Sequence, residues 1–389
     1  MHHFRAKFVL PVASPPIEDG VVAVDGERIA GVGKRSDFSG PFTDLGECAV
    51  LPGFINAHCH LDYTDMAGRL PCHSGFTDWL GEMVALKIAQ TPGDYETATQ
   101  HGLATLLHSG TTTVCDIESA PTNLDVLTQA PLRVLSCLEL IDVVGPAASE
   151  LLWKRSAGLS PHAPFTASAA LYRRAFAFCC GQNRVFTTHL AESLDEAAMF
   201  ERASGPLFEQ LAALGRPMDD CGRGSSVALL ESYGVLRGAL VVHANWLSDD
   251  DIIRLARARA TVVHCPCSHR FFNHPPFPLA HLREAGVTVC LGTDSAASGS
   301  TLDMRVELGE FLAAYPAIQP AEALAMATMM AAKALNQPGV TGTLTPASRA
   351  DLIVVEITAE ARDPVEAVIA GRRPIRLSMV NGKAVHDEG

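Results

Sequence analysis

From about residue 50 to residue 292 the chain repeats one unit, a short apolar run that reads as a buried strand followed by a longer stretch with helical period. Strands are expected at 50–57, 111–117, 133–139, 158–161, 184–189, 239–243, 260–265 and 287–292. The intervening stretches carry helix signals. In 249–260, for example, acidic residues crowd the first turn and Arg254, Arg257 and Arg259 the last, as the helix dipole favours. Eight such units over residues 49–341, about 290 residues, match a (β/α)8 barrel, where catalytic residues project from the C-terminal ends of the strands.

The two ends of the chain have another rhythm. Residues 1–48 alternate short β-like pieces with turns, and residues 342–389 do the same, with Asn381-Gly382 as a strong hairpin signal. Two half-sets of strands at opposite termini predict one small β-sandwich closed by both ends. The expected organisation is therefore an α/β protein: a distorted barrel over 49–341, with sandwich parts at 1–48 and 342–389. A helical segment over 195–214 is a candidate homodimer interface.

Ligand-type side chains collect at the ends of the predicted strands. In Pro52-Gly-Phe-Ile-Asn-Ala-His58-Cys-His60-Leu-Asp62, residues i and i+2 of an extended strand point the same way, so His58 and His60 can aim two imidazoles at one point. The fifth strand ends in His189-Leu-Ala-Glu192, the sixth in Val242-His243 and the eighth in Gly292-Thr-Asp294. His58, His60, His189 and Asp294 are the set that one catalytic divalent metal needs, with a position left open for water. A zinc ion there would lower the pKa of water to about 7. Imidazole and carboxylate suit zinc and also ferrous iron. Glu192 would face the same pocket, His243 would stand beside His189, and Asp294 could accept a proton as well as bind metal.

Charge and cysteine usage narrow the classes. A net charge of -13 without any basic run excludes a nucleic-acid partner, whose phosphates need clustered Lys and Arg. Eleven cysteines, an odd count, lack the spacing of a disulfide framework, which points to a reducing compartment such as the cytoplasm. Cys265-Pro-Cys267 has no second pair to complete a structural zinc knuckle. The N-terminus lacks the apolar core of a signal peptide, and no run approaches the roughly 18 apolar residues of a membrane span. A small molecule is the expected partner.

The strand-end motifs, together with Ser160-Pro-His162-Ala-Pro, Val263-His-Cys-Pro-Cys-Ser268 and Gly342-Thr-Leu-Thr-Pro, resemble the amidohydrolase superfamily over nearly the whole chain. Within it they are most similar to the hydrolytic deaminases and chlorohydrolases grouped with methylthioadenosine/S-adenosylhomocysteine deaminase, guanine deaminase, aminodeoxyfutalosine deaminase and atrazine chlorohydrolase. Ring-deaminating members carry His-x-x-Glu at strand five, which Glu192 keeps. Binuclear members carry a lysine at the end of strand four, which this chain lacks, so the resemblance implies one metal. It implies hydrolytic release of ammonia from an aminated heterocycle, with Glu192 protonating a ring nitrogen, His243 stabilising the tetrahedral intermediate and Asp294 moving the water proton. The alternative on the same site is a chlorohydrolase or cyclic-amide hydrolase. A non-catalytic assembly relative would be expected to have lost these ligands.

Substrate contacts are expected from Trp79 in the long connection after strand one, which could stack on a flat ring, and from His162, Ser268, His269 and Phe272. Two departures bear on specificity. Related methylthioadenosine deaminases carry a ribose-binding Glu about nine residues after the matching Trp, where this chain has Ile88, and they continue Ser-Asn where it has Ser268-His269. Arg270 or Lys87 is available for a carboxylate on a substrate such as 6-aminodeoxyfutalosine.

Overall fold

A computed structural model describes residues 1–71, 75–143, 145, 147–299, 301–371 and 373–387. Eight parallel strands follow one another in sequence and in space: Phe54–His60, Thr111–Glu118, Arg133–Leu140, Gly158–Pro161, Val185–Leu190, Leu240–His243, Thr261–His264 and Thr288–Leu291. They are called barrel strands one to eight. Strand eight continues after Gly292-Thr293 as Asp294–Ser295, and this short piece pairs in parallel with Cys59 and His60 of strand one. The sheet therefore curls round until its last strand meets its first, the expected distorted (β/α)8 barrel.

That closure depends on a residue without a side chain. A Cβ on Gly292 would lie 2.8 Å from both the backbone nitrogen and oxygen of His58. Thr293 N donates to His58 O at 3.1 Å, and the Asn56 side chain bridges the two strands, donating to Thr293 Oγ1 at 2.7 Å and accepting from Thr293 N at 3.1 Å. Inside, Ile55, Ala57, Cys115, Cys137, Val185, Leu240, Val242, Val263 and Cys290 belong to one buried cluster that Ala331, Ala332 and Leu335 complete. Side chains from strands on every side can meet in this way only by filling the barrel. A larger cluster packs the outer helices on the strands, for example Leu171, Leu255, Leu282 and Leu308 with Leu159, Leu190, Val241 and Val262.

Both termini build the second sheet. Cys48–Pro52 pairs in parallel with His2–Val9 and antiparallel with Leu352–Glu356, so it joins the two ends of the chain. Ala6, Val22, Val50, Leu352, Val354 and Leu377 are among the side chains that meet in this sheet's own core. Ile375–Val380 and Lys383–Asp387 form the expected hairpin, with Asn381 at φ 49° and Gly382 at φ 72°, the two positive values that its two-residue turn demands. Arg133 in strand three anchors this sheet to the barrel through Asp351 at 3.0 Å and Asn381 at 2.9 Å.

Two expectations need correction. The apolar run at 50–57 is not one strand, because it divides at Gly53 between the terminal sheet and the barrel. There the backbone presses on the Thr112 side chain, and Gly53 N turns to Asp351 O at 3.1 Å. The segment at 195–214 is two helices, Leu194–Arg202 and Pro206–Ala213, broken where Ala203 at φ 49° ends the first and Gly205 at φ 100° admits the proline of the second. The helix expected at 249–260 is Asp249–Ala258, started by a Ser248 capping box and stopped by Arg259 at φ 53°. Among the described residues no helix is long and apolar enough to cross a membrane.

Replacing Gly292 with Ala should wedge strand eight away from strand one. Overpacking of this kind destabilises by about 1–3 kcal/mol. An unchanged melting temperature in Gly292→Ala would show that the seam tolerates a side chain.

Candidate active site

At the C-terminal end of the barrel four groups converge as the sequence predicts. His58, His60, His189 and Asp294 are all buried, and one ligand atom from each lies within 4.8 Å of the others. The Asp294 Oδ1 is 3.5 Å from His58 Nε2 and 3.7 Å from His60 Nε2, while His60 Nε2 and His189 Nε2 are 3.3 Å apart. Both ring nitrogens of His58 are buried without a hydrogen-bond partner. Such an orphaned imidazole is costly unless something binds it. Three nitrogens and a carboxylate oxygen facing one point are a donor set that fits a divalent cation of the zinc or ferrous type.

The surroundings fix both orientation and charge. His189 Nδ1 lies 2.8 Å from the His162 carbonyl oxygen, so it donates there and leaves Nε2 with a free lone pair. The Tyr63 ring stacks on His60 at 5.1 Å. Burial pushes His60 and His243 down to about 3, and His189 well below its usual value, which keeps these rings neutral as metal binding requires. Burial acts to raise Asp294, yet contact with His58 and the electrostatic attraction of His243, His58 and His60 for its carboxylate outweigh it and hold the carboxyl well below the usual range. Ser268 Oγ and Ser298 Oγ donate to Asp294 Oδ2 at 2.8 and 2.7 Å, which leaves Oδ1 for the histidines.

Glu192 is shifted the other way. Burial, then the charges of Asp294 and Glu196, push its carboxyl well up, and its Oε1 stands 3.4 Å from His243 Nε2. It thus holds its proton more tightly than an ordinary carboxyl, beside an Asp294 that gives its own up more readily, the pairing of unlike carboxyls that acid–base chemistry uses. The backbone is strained at these strand ends. Ala191, His243, Ala244 and Asp294 all adopt positive φ, between 50° and 73°, in the region that costs a residue with a Cβ roughly 1–2 kcal/mol. Glu196 secures the first of these turns, its two oxygens accepting from Ala191 N at 2.8 Å and Glu192 N at 2.9 Å. Asn245 Nδ2 then donates to Glu192 O at 3.0 Å.

A cavity of about 380 Å³ opens above this floor, within the range of small-ligand sites. His60, His189, Glu192 and Asp294 form its base. Trp79, Met83 and Lys87 enter from the helix Phe76–Ala89 after strand one, and Leu207, Leu211 and Leu214 from the region of Pro206–Ala213. Thr77 ties the first of these helices to Leu194–Arg202, its N and Oγ1 both donating to Asp195 at 3.2 and 2.6 Å. Trp79 and His162 therefore line the cavity as expected.

Ser268 and His269 do not line it. Ser268 is buried and hydrogen-bonded to Asp294, and His269 Nδ1 contacts Asn245 Oδ1 at 3.0 Å, because the short helix Pro266–Phe271 turns both toward these partners and out of the cavity lining. Phe272 meets Trp79 edge-on with ring centroids 5.0 Å apart, so it supports the aromatic wall. Arg270 is 65% exposed and pairs with Glu310 at 2.9 Å, away from the cavity, and Ile88 is 80% exposed. Sequence reasoning missed Glu196, although Ser193-x-x-Glu196 is the pattern of a capping box. It also missed Glu139, whose signal was a lone charge at the end of the apolar strand Arg133–Leu140. Burial acts to raise Glu139, but Lys87, His162 and His60 bring it down to about 2.

Residues 49–385 match the model of the amidohydrolase family. The chain is similar to an aminodeoxyfutalosine deaminase of Deinococcus radiodurans, at 31% identity over 77% of this chain and 78% of that protein. It is also similar to a 5-methylthioadenosine/S-adenosylhomocysteine deaminase of Nitratidesulfovibrio vulgaris, at 28% identity over 96% and 89%. A zinc-bound adenosine deaminase structure from Xanthomonas campestris shares the fold with a TM-score of 0.85, at 23% identity over 99% of this chain and 93% of that one.

The floor also rests on a protonated acid. Glu307 accepts from Cys267 N at 2.9 Å, and burial pushes it up to about 8. A folded-state pKa above the ordinary 4.5 favours the native state fully below that ordinary value and loses the contribution as pH rises through about 8. Melting temperatures should therefore fall between about pH 5 and 8, and Glu307→Gln should flatten part of that slope. An identical pH profile in the variant would contradict the assignment.

Proposed function

Since the chain belongs to the amidohydrolase family, we propose that it is a metal-dependent hydrolytic deaminase of an aminated heterocycle, of purine or purine-nucleoside type. One observation carries this reading: a buried Glu192, its carboxyl pushed well up by burial, stands beside His243 and next to a His3Asp cluster, in a cavity with an aromatic wall. The names of the deaminase relatives support it, and they make an adenosine derivative such as aminodeoxyfutalosine a reasonable substrate. The metal is zinc in this reading, and His58, His60, His189 and Asp294 would hold it. When bound, it would supply a nucleophile at neutral pH by acidifying water.

The chain's own residues would do the rest. Glu192 donates its proton to the ring nitrogen next to the amine-bearing carbon, making that carbon electrophilic. His243, neutral and with Nε2 unpartnered, offers a hydrogen bond to the tetrahedral centre. Asp294, ionised and steadied by two serines, accepts one proton from water and passes it to the departing amine. The second water proton restores Glu192 as the carbonyl forms. Water is split, ammonia leaves, and both carboxyls return to their starting states. The buried free thiols suit the cytoplasm, and a homodimer is the oligomer proposed.

Ammonia release should be detected in a screen of aminated purines, pterins, pyrimidines and their nucleosides. Chloride release or ring opening instead would move the assignment to the chlorohydrolase or cyclic-amide branch. Glu192→Gln should lower turnover by about 10²- to 10⁴-fold while keeping the metal, and near-native rates would remove Glu192 from the protonation step. Elemental analysis should find one divalent ion per chain, and His189→Ala should lose it. Two ions per chain would contradict the single site.

A further inference from the structure

The cavity contains one ion pair that the chemistry above does not use. Glu139 ends barrel strand three with its side chain 5% exposed, and Lys87 reaches its Oε2 from the lid helix at 3.3 Å. The Lys87 ammonium also lies 4.8 Å from the centre of the Tyr63 ring. Apolar side chains of similar volume would fill such a place at least as stably. Lys87 takes only one carboxylate oxygen, so Oε1 remains for a ligand, and both residues line the cavity.

Among the described residues three acids line this cavity, and two of them, Glu192 and Asp294, face the reacting end. Glu139 is the third, and with Lys87 it also lines a neighbouring cavity of about 570 Å³. Lys87 and Glu139 together are neutral, so a charged group of either sign gains little there. Hydroxyl donors are what the pair can still serve, because a carboxylate accepts through both oxygens. The apolar side chains of Trp79, Met83 and Leu211 in the same wall offer a hydroxyl no acceptor.

We propose that Glu139, held in place by Lys87, binds the vicinal hydroxyls of a ribose while the attached base reaches Glu192. This rests on the nucleoside reading of the site. It makes the ligand class a neutral ribonucleoside end, and it sets Lys87 to orient Glu139 and not to receive a substrate carboxylate.

The test compares adenosine with 2′,3′-dideoxyadenosine, in wild type and in Glu139→Gln, by steady-state kinetics and by calorimetric binding to the metal-loaded protein. Wild type should prefer adenosine by roughly 10- to 100-fold, the range expected for a hydrogen bond to a charged acceptor. Glu139→Gln should lose that preference through KM and Kd, with the dideoxynucleoside hardly affected and metal content unchanged. Should Glu139→Gln fail to fold, Glu139→Asp, which draws the charge back by one methylene, should show a smaller loss of the same preference. A variant that retains the wild-type preference overturns the proposal while the deaminase reading stands. Deamination of neither nucleoside, with other aminated heterocycles turned over and no binding of adenosine, overturns the ribose assignment. Ammonia release from no heterocycle at all overturns the deaminase reading itself.

Discussion

The close approach of Gly292 to the His58 backbone is the contact on which the rest of the site depends. It lets strand eight finish against strand one, and only that seam brings an aspartate from residue 294 to two histidines near residue 60. Asn56 holds the same seam with hydrogen bonds to both the side chain and the backbone of Thr293. Barrel closure and assembly of the metal-binding donors are therefore one event. A slip of one residue along this seam would turn Asp294 away from the histidines, since neighbouring side chains in a strand face opposite ways.

Once the donors are enclosed, burial distributes charge among them. The same desolvation lowers the histidines, raises Glu192, and would raise Asp294 if the histidine contacts did not outweigh it. Two carboxyls of one site are thus shifted in opposite directions. The left-handed backbone at Ala191, His243, Ala244 and Asp294 is the steric counterpart of this arrangement, for it turns side chains inward where an ordinary strand end would carry them onward. Glu196 and Asn245 hold the turns against relaxation.

How much of this the sequence made legible follows from what each signal encodes. Short apolar runs with ligands at their ends declared the barrel strands, and four of those ligands meet in the structure, because strand order and strand end are one-dimensional facts. The break at Gly53 stayed hidden, since β-branched and apolar residues on both sides read as a single run while the cause lies at Thr112, far along the chain. The division of 195–214 was legible in Ser204-Gly205-Pro206, a helix-breaking run that a reading of the segment as one helix passes over. Ser268 and His269 misled for a related reason. Their position after strand seven puts them near the site, but the turn of the helix Pro266–Phe271 decides whether they face the cavity or Asp294 and Asn245.

The lid is where sequence and structure diverge most, and the physical reason bears on specificity. A strand end is fixed by its ladder neighbours, whereas the lid helix Phe76–Ala89 is fixed by contacts drawn from distant segments: Asp195 to Thr77, Phe272 to Trp79 and Glu139 to Lys87. Each of those partners sits on an element that also carries part of the floor. Asp195 follows Glu192, Phe272 follows Ser268, and Glu139 ends a barrel strand. A change in the lid is therefore transmitted to the residues that would carry the reaction, and a change in the floor resets the wall that meets the substrate.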